Sequence, residues 1–172
     1  MRAAVRLTLV LIVVLAAVPA MAGKIGFLDG DRAIATVQEG RSQLQGLESW
    51  AKPRRDQLEQ LQGQVNGLKQ QLATQQSTAS AETLAALERE LVKAQRELED
   101  QARAFNRELN ARRDKIVADI GAKIGTLATE YAEANGFDVI FLLSAQPVAY
   151  FSTSLNITDA IIRMYDERYP AN

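Results

Sequence analysis

Apolar side chains recur along the middle of this chain with the spacing of a coiled coil. Leu44, Leu47, Ala51, Arg54, Leu58, Leu61, Val65, Leu68 and Leu72 are separated by alternating steps of three and four. That is an a/d row, and it predicts a long helix with one apolar seam. Arg54 is the row's only polar member, and Pro53 beside it lacks a backbone donor, so a kink or a restart of the helix is expected there. The row ends in Thr74-Gln75-Gln76-Ser77-Thr78-Ala79-Ser80, a polar run that reads as a turn with Ser80 capping a second helix. The second row begins with Leu84, Leu87, Leu91, Ala94 and Leu98, shifts by a stutter to Ala102, and continues through Phe105, Leu109, Ile116, Ile120, Ile124, Leu127, Tyr131 and Ala134. Asn135-Gly136 closes it as a left-handed cap would. The two rows predict an antiparallel helical hairpin over residues 41–135. Its arms are unequal, roughly 50 Å for residues 42–75 and roughly 80 Å for residues 82–135, at about 1.5 Å per residue. The longer arm must therefore run past the start of the shorter one into whatever anchors the pair.

Period-two patterns flank the hairpin. Residues 24–28 read as a strand with Ile25 and Phe27 on one face, and Asp29 or Asp31 can cap a helical turn over residues 32–37. Gly40 reads as a further break before the long helix. Beyond Gly136, Val139, Ile140 and Phe141 lie in a buried-type strand over residues 137–143. Ser144-Ala145-Gln146-Pro147 is a turn, and Val148 and Tyr150 begin a third strand over residues 148–152, so the last two strands are expected to form a β-hairpin. Thr158 can cap a final helix with Ile161, Ile162 and Tyr165 inward. The expected fold class is α+β, mostly α: a long antiparallel coiled-coil arm projecting from a small β-body. Residues 23–40 and 136–172 would make that body. Three strands leave two open edges and bury little surface, so the body is expected to self-associate through Ile25, Phe27, Val139, Ile140, Phe141, Val148 and Tyr150.

The first 22 residues change the picture of where the chain works. Arg2 and Arg6 precede an apolar stretch over residues 7–18, Pro19 breaks it, and Ala20-Met21-Ala22 is a small-residue cleavage pattern. This reads as a secretory signal peptide cut between Ala22 and Gly23. The apolar run is shorter than the roughly 20 residues a spanning helix needs. Lipid attachment at a mature N-terminus is ruled out, because the chain has no cysteine. Loss of Arg2 and Arg6 moves the net charge from −1 to −3, which gives no overall field to attract nucleic acid.

Candidate chemistry is sparse. The chain has no histidine, so the commonest general base and the commonest metal ligand are both missing. No phosphate loop, nucleophile elbow or metal-ligand spacing appears, and Asp29 with Asp31 is explained by capping. The reading is of a non-enzyme with no catalytic residues, no cofactor and no metal. Arg103, Arg107, Arg112, Arg113 and Lys115 form the densest basic stretch. It reads as a solvated face braced by Glu99 with Arg103 and Glu108 with Arg112, against the alternative of weak contact with anionic lipid or lipopolysaccharide. Trp50, Val65, Phe105 and Val117 need not all face the seam, and any that turn outward would suit promiscuous contact with a client.

Taken together, the strand Lys24-Ile25-Gly26-Phe27-Leu28-Asp29, the charged hairpin and the C-terminal stretch resemble the Skp/OmpH family of periplasmic chaperones. The C-terminal stretch carries most of it: Asn135-Gly136-Phe137-Asp138-Val139-Ile140, Val148-Ala149-Tyr150-Phe151 and Asn156-Ile157-Thr158-Asp159. Members usually have Asp at the position of Asn156. The resemblance implies a trimer whose strands build a β-body and whose arms enclose a cavity. It implies a soluble periplasmic protein that holds unfolded outer-membrane proteins without ATP. Members are strongly basic, so the charge of −3 here favours cavity holding over attraction to a basic patch. The alternative outside this class is a structural or adaptor coiled coil of the cell envelope or of a secretion apparatus.

Overall fold

The structure is a computed structural model that describes residues 23–143 and 148–170. The leader expected to end at Ala22 and the turn expected from Ser144 to Pro147 lie outside the described residues. Strand β1 (Ile25–Leu28) leads into α1 (Gly30–Thr36), then α2 (Gln38–Gln75) and α3 (Ala81–Asn135). After these come β2 (Val139–Leu142), a single 3-10 turn (Thr153–Leu155) and α4 (Thr158–Arg168).

The hairpin is as the rows predict. Helix α2 has 38 residues and α3 has 55. Ser80 Oγ accepts the Thr83 N–H at 3.2 Å, and Gly136 ends α3 at φ 66°, where L side chains are strained. Along α2 the apolar members of the row are half-buried or buried, with Ala51 and Val65 the most enclosed. A two-helix seam has only one partner surface, which is why most of its leucines keep some contact with water. Pro53 does not restart the helix; α2 runs unbroken across it. Val65 also faces inward, and Trp50 stacks on Phe105 of α3 at 5.9 Å, so of the four side chains free to turn outward only Val117 is exposed.

The overhang of α3 enters the core. Ile116, Ile120, Ile124, Leu127 and Ala128 pack with Leu28, Ala33, Ile34, Val37, Ile157, Ile161, Ile162 and Tyr165. Gly40 is not a break. The chain turns at Val37, and Gly40 lies in the first turn of α2, where a Cβ would sit 1.8 Å from the Ile34 carbonyl oxygen.

The sheet corrects the sequence reading. Among the described residues it has two strands, not three, and β2 pairs with β1 in parallel, in the register Ile25↔Val139, Gly26↔Ile140, Phe27↔Phe141 and Leu28↔Leu142. A parallel pair needs a long crossover, which the whole helical hairpin supplies. Among the described residues the expected β-hairpin is absent. Residues 148–152 form no strand, and the far side of β1 is instead touched by Asn156, bridged to Phe27, with the Ile157 N–H donating to the Phe27 carbonyl at 2.9 Å. Capping of α4 differs as well. Asn156 Oδ1 accepts the Thr158 N–H, and the Thr158 hydroxyl accepts the Asp29 N–H, both at 2.9 Å. Thr158 thus ties α4 to the end of β1.

Candidate functional site

Side chains alternate across a sheet, so this sheet has two unlike faces. Leu28 and Ile140 turn towards the helices, Leu28 fully buried and Ile140 packed on the core. Ile25, Val139 and Phe141 lie on the other face at 38–39% exposure. Phe27 joins them, stacked between Phe141 at 5.7 Å and Phe151 at 4.6 Å. Tyr150 is 87% exposed, and Val148 is half-buried. The residues expected to build the assembly surface therefore divide: Ile25, Phe27, Val139 and Phe141 share an open apolar face, Ile140 sits behind it, and Val148 and Tyr150 lie outside the sheet. Stacking by Phe151 was not foreseen.

A second apolar surface lies around the corner. It is an open groove of about 570 Å³ between α1, α3 and the end of β2, lined by Ile34, Val117, Gly121, Gly125, Ala128 and Leu142. Gly121, Gly125, Ala128 and Ala132 recur at helical spacing, so one face of α3 carries almost no side chain and the groove is cut to the backbone. Two glycines one turn apart are costly in a helix interior, and that spacing was the available sequence signal for this surface. Asp31, Glu133 and Asp138 stand on its rim.

The body is locked by one polar node that the sequence did not reveal. Glu39, at the start of α2, accepts hydrogen bonds from Lys123 Nζ at 2.7 and 2.9 Å, from the Tyr165 hydroxyl at 2.6 Å and from Gln43 at 2.9 Å. Lys123 and then Tyr165 hold the Glu39 carboxyl below the ordinary carboxylate range. Burial first, then the Glu39 acceptor, pushes the Tyr165 phenol well above its ordinary value, so it remains a donor.

The basic stretch is largely braced. Arg103 pairs with Glu99 and Asp100, Arg112 with Glu108 at 2.7 Å, and Lys115 with Asp119 at 3.1 Å, as the solvated-face reading expects. Among the described residues no cluster of acidic side chains converges to hold a metal. No described helix is long and apolar enough to cross a membrane.

Residues 24–165 match the family described as outer membrane protein (OmpH-like). Comparison with curated proteins gives no match. Among solved structures the chain is similar to an OmpH-like protein from Caulobacter crescentus CB15, described provisionally as an outer membrane chaperone. The two share 15% identity over 87% of this chain and 88% of that one, with a TM-score of 0.63. At that identity the likeness concerns the fold of arms on a small β-body.

Proposed function

This chain belongs to the OmpH-like outer membrane protein family, and we propose that it is a chaperone of the periplasm that holds unfolded outer-membrane proteins among its arms, without ATP, cofactor or catalysis. In this reading residues 1–22 are removed at Ala22–Gly23. Residues 23–40 and 136–172 form an assembly body, and residues 41–135 form the arm.

The observation that carries the proposal is the contrast between body and arm. The exposed large apolar side chains among the described residues gather at the body: Ile25, Val139, Phe141, Leu142, Tyr150, and Val117 in its groove. On the rest of the arm only Val92 is of that kind. A surface of this sort associates through its body and presents clients with a polar, weakly adhesive wall, which suits confinement better than a specific grip.

The two apolar surfaces support assembly. A two-fold dimer pairs one patch with itself, whereas two unlike patches, the sheet face and the α3 groove, suit a head-to-tail contact that closes as a ring. The family resemblance supports three subunits in that ring. A spacer or adaptor role is the other reading, and the polar arms favour it as well. Contact with anionic lipid is no part of the proposal, since Arg103, Arg112 and Lys115 already have acidic partners on their own helix.

Phe141→Asp tests both claims at once. It places a charge at the centre of the sheet face while leaving the helical core untouched. The variant is expected to sediment as a monomer with unchanged helical circular dichroism, and to lose protection of an unfolded β-barrel protein. An oligomer of native mass would overturn the assigned surface, and a monomer that protects fully would overturn the shared cavity.

A further inference from the structure

An interior proline leaves the carbonyl four residues earlier, here Ser49, without its helical donor. The ring also pushes the chain apart on its own face, so the helix bends towards the opposite one. Glu48 and Arg55 are seven residues apart, close to two full turns, and share a face about 140–160° around the axis from Pro53 at 3.6 residues per turn. They lie on the side a bend would shorten. There the Arg55 guanidinium grips the Glu48 carboxylate in a fork, with contacts of 3.0 and 2.6 Å. Every other ion pair within a single described helix spans three or four residues; this one spans seven and straddles the proline.

A second set of ties crosses the same point on the seam side. Arg54 Nη1 donates to the Trp50 carbonyl at 2.9 Å, and the Arg54 guanidinium lies 4.2 Å over the Trp50 ring. From α3, Arg112 approaches that ring at 4.4 Å while Phe105 stacks on it. Arg54 is the one polar member of the apolar row, and this stacking accounts for it.

We propose that residues 48–55 form a charge-latched joint in the arm: the Glu48–Arg55 fork and the Trp50–Arg54–Arg112 stack splint the helix across Pro53 and fix one bend. Released, the part of the arm beyond the joint swings, and the width between arms changes. The latch is a property of the arm alone and does not depend on the chaperone reading. Exposed ion pairs add little to global stability, so the readout must be arm geometry rather than unfolding.

The absence of native cysteine makes that measurement clean. Spin labels on cysteines introduced at Lys69 and Arg163, in mature chains diluted with unlabelled chain, report the distance from the outer arm to α4 by pulsed electron resonance. The native chain should give one narrow distance population. Glu48→Gln should lose it and show a broad distribution, and raising the salt towards 1 M should do the same to the native chain. In a Pro53→Ala background, where the helix carries its own backbone bond, Glu48→Gln should leave the population narrow. No broadening by Glu48→Gln in the native chain, or equal broadening with and without Pro53, would overturn the joint. Unchanged helical circular dichroism in all four chains excludes misfolding as the source of any difference.

Discussion

Gly40→Ala is expected to destabilise the chain by about 3 kcal/mol or more, the upper end of the cost of forcing atoms into a packed core. The added methyl would lie 1.8 Å from the Ile34 carbonyl oxygen and 3.1 Å from a Val37 methyl. The first of these is backbone and cannot rotate aside. Relief requires α1 and α2 to separate, and Ile34 of α1, Val37 between the helices, and Leu44 and Leu47 of α2 all pack in or against the core. Gly46, Gly63 and Gly67 are the control, because a methyl at any of them meets nothing within 4 Å. Alanine there should stabilise by roughly 0.5–1 kcal/mol through helix propensity alone. Urea unfolding of the Gly40 and Gly63 variants should move the midpoint in opposite directions; equal shifts would contradict the close approach.

Glu39→Ala is expected to cost about 2 kcal/mol. Breaking a buried pair costs about 3–5 kcal/mol, but the Glu39 and Lys123 side chains keep 22% and 34% exposure, and solvent takes back part of that. What remains is the Tyr165 hydroxyl, in a residue with no exposure, left without its acceptor. The same node sets a pH dependence. The folded-state value of Glu39 is depressed by Lys123 and Tyr165, so its contribution is present above the ordinary carboxylate range and is lost as pH falls through the depressed value. Glu39→Gln should therefore lower stability at neutral pH and flatten the acid limb of a stability–pH curve. An acid limb identical to that of the native chain would place the acid sensitivity elsewhere.

The arms were legible because heptad spacing and capping residues act locally: Ser80, Gly136 and the overhang of α3 are set by neighbours in the chain. The sheet was not. Residues 137–143 and 148–152 read as a hairpin because Gln146-Pro147 is turn chemistry between two apolar runs, and strand preference says nothing about the partner. The partner of β2 is β1, reached across the entire helical hairpin, and Lys24 fixes that meeting by donating its N–H to Asp138 at 2.6 Å. Gly40 illustrates the same limit, since the carbonyl that forbids a side chain there belongs to the preceding helix. Glu39, Lys123 and Tyr165 each look ordinary in sequence and become a node only when three helices meet. Of the proposed assembly surface, Ile25, Phe27, Val139 and Phe141 were recoverable from period-two alternation, while the groove on α3 needed the glycine spacing to be read as a surface.

Dilution from denaturant tests most directly the proposal that the mature chain shields unfolded outer-membrane proteins. An outer-membrane β-barrel protein unfolded in urea is diluted into buffer with and without the purified mature chain, with no nucleotide present, and light scattering is followed. Suppressed scattering at a few-fold molar excess of subunits is the expected result; scattering unchanged by the chain would contradict a holding function and leave the envelope spacer as the reading of these arms.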